Sequence, residues 1–175
     1  MKGNKKNVIL IGMPGCGKST IGVVLAKVLG YEFTDSDLLI QRREGKLLRE
    51  IIAEQGEDGF LQVEDAVNAS LTTEHHVIAT GGSVVYCENA MKHLQEIGTI
   101  VYLKLSYATI CHRLGNIRRR GVVLKDGQTL KDLYDERIPL YEQYADLIID
   151  AEGHDVESLM EEVAKTLEST DKKSL

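Results

Sequence analysis

Apolar residues follow two rhythms along this chain. Short unbroken runs, "VILI" (Val8 to Ile11), "VIAT" (Val77 to Thr80), "TIVYLKL" (Thr99 to Leu105) and "LIID" (Leu147 to Asp150), have the length of strands buried on both faces. A fifth short strand is expected near Tyr31 to Thr34. Between these runs the apolar positions recur at helical spacing. One such stretch runs from about Lys18 to Leu29 and stops at Gly30. Another runs from Asp37 to about Leu71, broken at Gly45 and at "GEDG" (Gly56 to Gly59). Further helices are expected before Thr99, from about Tyr107, before Leu147, and in a last amphipathic stretch to about Leu167. Strands alternating with helices predict a parallel sheet with helices on both faces. There is no internal repeat and no linker, so residues 1–175 read as one three-layer α/β domain with a five-stranded parallel sheet. A mobile lid is expected at about 115–127 and a flexible tail at about 169–175. In such sheets functional groups gather beyond the carboxyl ends of the strands. Gly12, Asp35, Asp37, Gly81 and Gly82 all stand just after strands.

The first of these strand ends carries "GMPGCGKST", Gly12 to Thr20. Gly12, Gly17, Lys18 and Ser19 satisfy the spacing G-x-x-x-x-G-K-[ST], between a strand and a helix as that motif requires. Glycines let backbone N–H groups turn inward to a phosphate, and the helix that follows presents its positive end. Lys18 can reach the β- and γ-phosphates, and the Ser19 hydroxyl can ligate Mg²⁺. Gly15, Cys16, Gly17, Lys18, Ser19 and Thr20 are therefore the candidate residues for ATP. A glycine-rich turn with an incidental lysine would not need the flanking strand and helix.

A phosphate loop serves switches, motors and kinases alike, and other segments separate them. No Asn-Lys-x-Asp follows a strand, as guanine recognition would need, and the one Asp-x-x-Gly, Asp150 to Gly153, lies near the end of the chain. "LIIDAE" approximates a motor's strand ending in Asp-Glu, but Glu152 is one position late, and Asp150 reads as an acid capping the next loop. A small-molecule kinase remains, and it needs a base, a metal-side acid and a lid. Asp35 and Asp37 in "FTDSD" can divide the first two tasks, although either can instead cap the helix that follows. Arg118, Arg119 and Arg120 lie between glycines in the lid segment, where an arginine can stabilise a transferring phosphoryl group. For Arg118 and Arg119 a solvated loop is the expected place. Arg137, in "ERIPLYEQYAD", lies on the first turns of a helix, where an ion pair with Asp135 or Glu136 is the structural alternative.

Composition narrows the partners. The chain is 43% hydrophobic and 27% charged with a formal net charge of -6, which disfavours nucleic acid and acidic membranes. No apolar run approaches the roughly 20 residues of a membrane helix. Three cysteines without close pairing, Cys16, Cys87 and Cys111, suit a reducing compartment. The expectation is a cytoplasmic monomer acting on a small hydroxylated molecule.

Taken together, "GMPGCGKSTIG", "FTDSD", "ATGGSVV", the arginine lid and "RIPLYEQYAD" resemble the shikimate kinase family in order and rough spacing over nearly the whole chain. The resemblance implies a P-loop kinase domain that transfers the ATP γ-phosphate to the 3-hydroxyl of shikimate, with Mg²⁺. It implies that Asp37 contacts the shikimate hydroxyls as the base and that Asp35 lies near the metal with Ser19. It further implies that Gly81 and Gly82 line the substrate pocket, that Arg120 faces ATP and that Arg137 binds the carboxylate. Three positions depart from the family pattern. Leu61 follows Phe60 where a second carboxylate-binding arginine is usual, Ser83 replaces a third glycine, and Gly121 follows the lid arginine where proline is usual. Loss of one carboxylate donor from a buried site costs roughly 2–5 kcal/mol. That magnitude leaves two alternatives beside shikimate: a kinase for another polyol or sugar acid, and a nucleotide-binding regulator without transfer activity. Arg43 is a candidate to replace the missing cation.

Overall fold

The computed structural model describes residues 5–115, 122 and 124–172. Arg118, Arg119, Arg120 and Gly121 lie outside the described residues, as do most of the expected lid and residues 173–175.

Strand β1 (Asn7–Ile11) is buried at every position, and so it forms the centre of the sheet. It pairs in parallel with β3 (His76–Ala79) on one side and β4 (Gly98–Lys104) on the other, setting Ile9 opposite Ile78 and Ile100. The edges are β2 (Glu32–Asp35) and β5 (Leu147–Asp150), giving the order β2-β3-β1-β4-β5 with all pairs parallel. Strand β2 begins one residue later than the apolar pattern predicts. The Tyr31 N–H still closes the preceding helix onto the Ala26 carbonyl, and the ladder starts with Glu32 N–H donating to His75.

Helix α1 (Lys18–Leu29) packs on β2 and β3 and against α7 (Val156–Lys172). The fit is close, since a Cβ on Gly22 would lie 2.6 Å from the Phe33 ring. Helix α2 (Ser36–Glu44) ends at Gly45, and α3 (Leu48–Ala69) is kinked at Gly56, so both expected breaks occur. A short 3₁₀ turn (Val84–Tyr86) leads to α4 (Glu88–Ile97), which packs on α3 and β4. Helices α5 (Tyr107–Leu114) and α6 (Leu130–Tyr144) complete the set. Helix α7 runs beyond Leu167 into the polar residues expected to be flexible. Its apolar stripe ends there, but the hydroxyls of Ser169 and Thr170 donate to the carbonyls of Lys165 and Thr166 one turn back.

The main core lies around β1, β3 and β4, and a second, smaller cluster of Ile40, Ile51, Phe60 and Val67 joins α2 to α3. Because β2, β3 and β1 are neighbours, the turns beyond their carboxyl ends lie side by side. One site can therefore draw on all three.

Candidate active site

The phosphate loop leaves β1 through three glycines at positive φ: Gly12 (148°), Gly15 (79°) and Gly17 (100°). At Gly12 a Cβ would stand 2.8 Å from the Leu103 carbonyl oxygen, so glycine is required twice over. No side chain caps α1 at Gly17, which leaves the N–H groups of its first turn for an anion. The buried Lys18 Nζ donates to the carbonyls of Gly12 (2.8 Å) and Met13 (2.9 Å). Cys16 turns its side chain into the core, so only its backbone is available to a nucleotide.

Asp35 caps the helix that follows it, and its second oxygen faces Ser19. Its Oδ1 accepts the N–H groups of Asp37 (3.0 Å) and Leu38 (3.3 Å), capping α2. Its Oδ2 accepts from the Ser19 hydroxyl at 3.0 Å. A hydroxyl and a carboxylate so placed fit Mg²⁺ held jointly with phosphates and water, the usual arrangement for that ion. Among the described residues no group of three or more His, Cys, Asp or Glu forms a closed metal cage.

A cavity of about 350 Å³ collects most of the expected residues. Gly15, Gly17, Lys18, Ser19 and Thr20 line it from the phosphate loop, and Asp37, Gly81, Gly82 and Arg137 line it from elsewhere in the chain. Gly12, Cys16 and Asp35 are not among its lining residues, and Arg120 lies outside the described residues. Phe60, Leu48, Ser83 and Val122, which the sequence motifs did not single out as site residues, complete much of the wall. Asp150 is no part of it: its carboxylate accepts the Glu152 N–H and closes the turn after β5, as a capping acid does.

Arg137 is the most unusual group in the wall. It sits in the middle of α6, 1% exposed, with its guanidinium carbon 5.3 Å from the Tyr86 ring centre. Its Nε and one terminal nitrogen, Nη2, have no hydrogen-bond partner. The ion pairs offered as alternatives do not form: Asp135 pairs with Lys131, and Glu136 accepts from Tyr86 and Gln128. Burial works against the guanidinium charge, the tyrosine hydroxyls of residues 141 and 86 favour it, and its pKa ends up raised. Gly82 is fitted between Arg137 and Pro14, with a hypothetical Cβ 2.9 Å from the one and 2.8 Å from the other. Its carbonyl accepts from Tyr141 at 2.6 Å, and that ring stacks on Tyr102. Small residues at this turn let an arginine and the phosphate loop approach each other.

Two carboxyls lie behind the same turn. A Cβ at Gly81 would meet Glu64 Oε1 at 2.6 Å and Asp37 Oδ1 at 2.8 Å. Burial, and then the charge of Asp35, push Asp37 up to about 6 against the pull of Lys18. Glu64 is wholly buried, and burial pushes it up to about 7, with the Ser83 hydroxyl bond opposing. Sequence motifs passed over Glu64, but Phe60, Glu64, Val67 and Asn68 are all buried at helical spacing, so an acid stood at a core position. Leu61 is half-buried, packs against both core clusters and is not among the cavity's lining residues. Arg43 is exposed, beside Glu44, and does not line the cavity. It does not replace an arginine at position 61.

The shikimate kinase family model matches residues 14–168 of the chain. The chain belongs to the shikimate kinase family. A shikimate kinase of Thermodesulfovibrio yellowstonii is 37% identical over 93% of this chain and 95% of its own length. A solved shikimate kinase of Acinetobacter baumannii, in complex with shikimate, superposes with a TM-score of 0.88 at 30% identity, covering 95% of each chain. A gluconokinase of Sinorhizobium meliloti shares the fold, with a TM-score of 0.56 at 16% identity, and at that distance nothing more is inferred from it. The family is one of ATP-dependent kinases, and the loop, Asp37 and the buried arginine of this member line one cavity.

Proposed function

We propose that this enzyme transfers the γ-phosphoryl group of ATP to the 3-hydroxyl of shikimate, and that Ser19 and Asp35 would hold the Mg²⁺ that accompanies ATP. The observation that carries the choice of acceptor is Arg137. A guanidinium buried to 1% exposure with two unpartnered nitrogens needs a counter-charge, and the carboxylate of shikimate supplies one. A neutral polyol would leave it uncompensated. The regulator reading has no use for a base and a lysine on one cavity wall.

In this reading Arg137 binds the carboxylate and thereby sets which hydroxyl faces Asp37. Asp37 takes the hydroxyl proton as that oxygen attacks phosphorus. Lys18 exchanges its two loop carbonyls for phosphate oxygens and offsets the charge that builds on them. Ser19 and Asp35 would hold Mg²⁺, which would supply neutralisation of the phosphate charge. Arg120, outside the described residues, is the candidate to face ATP. Free thiols at Cys16, Cys87 and Cys111 support a cytoplasmic enzyme.

The test is ADP release with shikimate, quinate, gluconate and inositols as acceptors. Shikimate should give the highest kcat/KM, and Arg137→Met should raise its KM by about thirtyfold or more while leaving the KM for ATP near the parent value. Faster turnover of an inositol than of shikimate would overturn the assignment.

A further inference from the structure

Asp37 and Arg137 line the acceptor side of the cavity, and a second carboxyl, the wholly buried Glu64, lies behind it at the Gly81 turn. Glu64 is packed from every direction. The 3₁₀ turn and its flanks bring the Ser83 hydroxyl, which donates to Oε2 at 2.5 Å, and the Cys87 thiol at 3.9 Å. Asp37 faces it from α2 and Arg137 from α6. On α3 itself the neighbouring acid, Asp65, is turned away to accept from Asn89 and Ala90. Among the described residues no lysine or arginine is paired with Glu64, and its Oε1 is buried without any partner. Three residues earlier on the same helix stands Leu61, which carries no charge.

Lys18 already faces Asp37, so the charge of an ionised Glu64 would fall on Arg137 before an anionic acceptor arrives. We propose that Glu64 is a positioning residue that holds a proton, keeping Arg137 available to the acceptor's carboxylate, so that loss of this proton weakens binding of anionic acceptors without slowing phosphoryl transfer. The proposal rests on the shikimate reading above. The neutral carboxyl removes a buried charge that no cation pairs, while Oε2 still accepts from Ser83. Burial already raises Glu64 to about 7, and a bound carboxylate raises it further. The switch therefore falls within the range in which an enzyme works. Specificity follows as well, because a neutral acceptor does not compete with the Glu64 charge for Arg137.

The first experiment measures KM for shikimate and for its neutral methyl ester between pH 6 and 8.5 at saturating MgATP, in the wild type and in Glu64→Gln, which mimics the protonated acid. The wild-type KM for shikimate should rise about tenfold from pH 6 to 8, with kcat changing as it does in the variant. The ester's KM should stay flat, and Glu64→Gln should flatten the shikimate profile. A wild-type KM that does not rise, or an equal rise in Glu64→Gln, would overturn the proposal even though shikimate is a substrate. A second measurement is independent of activity. A carboxyl with a raised pKa stabilises the fold at low pH and loses that contribution as pH climbs from its ordinary 4.5 to about 7. The Tm of the wild type should therefore fall relative to Glu64→Gln between pH 5 and 8. Parallel Tm profiles would reject a held proton. Failure to phosphorylate shikimate at any pH, with the Tm profiles diverging, would instead reject the acceptor assignment and leave the held proton standing.

Discussion

The two sides of the cavity are built in opposite ways. The phosphate side is one unbroken segment, Gly12 to Thr20, whose geometry follows from local rules: positive-φ glycines, an uncapped helix start, and a lysine bonded to carbonyls five and six residues behind it. The acceptor side is assembled from α2, α3, the turn after β3 and α6, and what it presents is buried charge held by neighbours far away in sequence. The first kind of site tolerates change around it as long as its own short stretch survives. The second depends on a balance of charges, so a single distant substitution such as leucine at position 61 changes how the whole wall must be neutralised.

Four substitutions break or sharpen this contrast. Lys18→Ala has the largest expected effect, a loss in kcat of about a thousandfold in a variant that still folds but with a lowered Tm, because it removes charge from the transferring group and leaves the Gly12 and Met13 carbonyls without their donor. Near-normal turnover in the folded variant would show that the loop does not bear the chemistry. Asp37→Asn should reduce kcat by about a hundredfold or more while keeping size and hydrogen bonding, and single-turnover kinetics would locate the loss in the transfer step.

Asp35→Asn should be milder. Asparagine caps a helix about as well as aspartate, so α2 keeps its start and only the charge facing Ser19 is lost. Raised Mg²⁺ should recover part of the rate. Recovery of Asp37→Asn by metal, and not of Asp35→Asn, would exchange the two roles. The smallest effect is expected from Leu61→Arg, which places a guanidinium three residues from Glu64 on one helix. It should lower the shikimate KM by about tenfold, if one charged hydrogen bond is gained, and abolish its rise with pH. Leu61→Met serves as the folding control, and an arginine variant as stable as that control but without any gain would show that position 61 does not reach the acid.

The same contrast explains what could be read from the sequence. Unbroken apolar runs marked β1, β3 and β4 to within a residue or so, because strands buried on both faces leave no polar interruptions, and the edge strands β2 and β5 fell as near to their expected places with less burial. The phosphate loop was legible because its constraints are local. Asp37, Gly81 and Gly82 were marked by their places at strand ends, but nothing in Arg137's neighbourhood announced its burial; the acids beside it pointed instead to a surface pair. Glu64 left one trace, an acid at a core position of α3. Its partners Ser83 and Cys87 lie 19 and 23 residues away, and such contacts have no spacing rule.

Asp35 has one further consequence. The oxygen that faces Ser19 and the oxygen that starts α2 belong to the same carboxylate, so the loop that receives ATP and the helix that carries Asp37 share a hinge pin. Two ligands anchored through one side chain do not bind as strangers. A shift of Asp35 on nucleotide binding would move the start of the helix that carries Asp37 and so change the affinity for the acceptor. Linkage then requires the acceptor to change the affinity for nucleotide by the same factor.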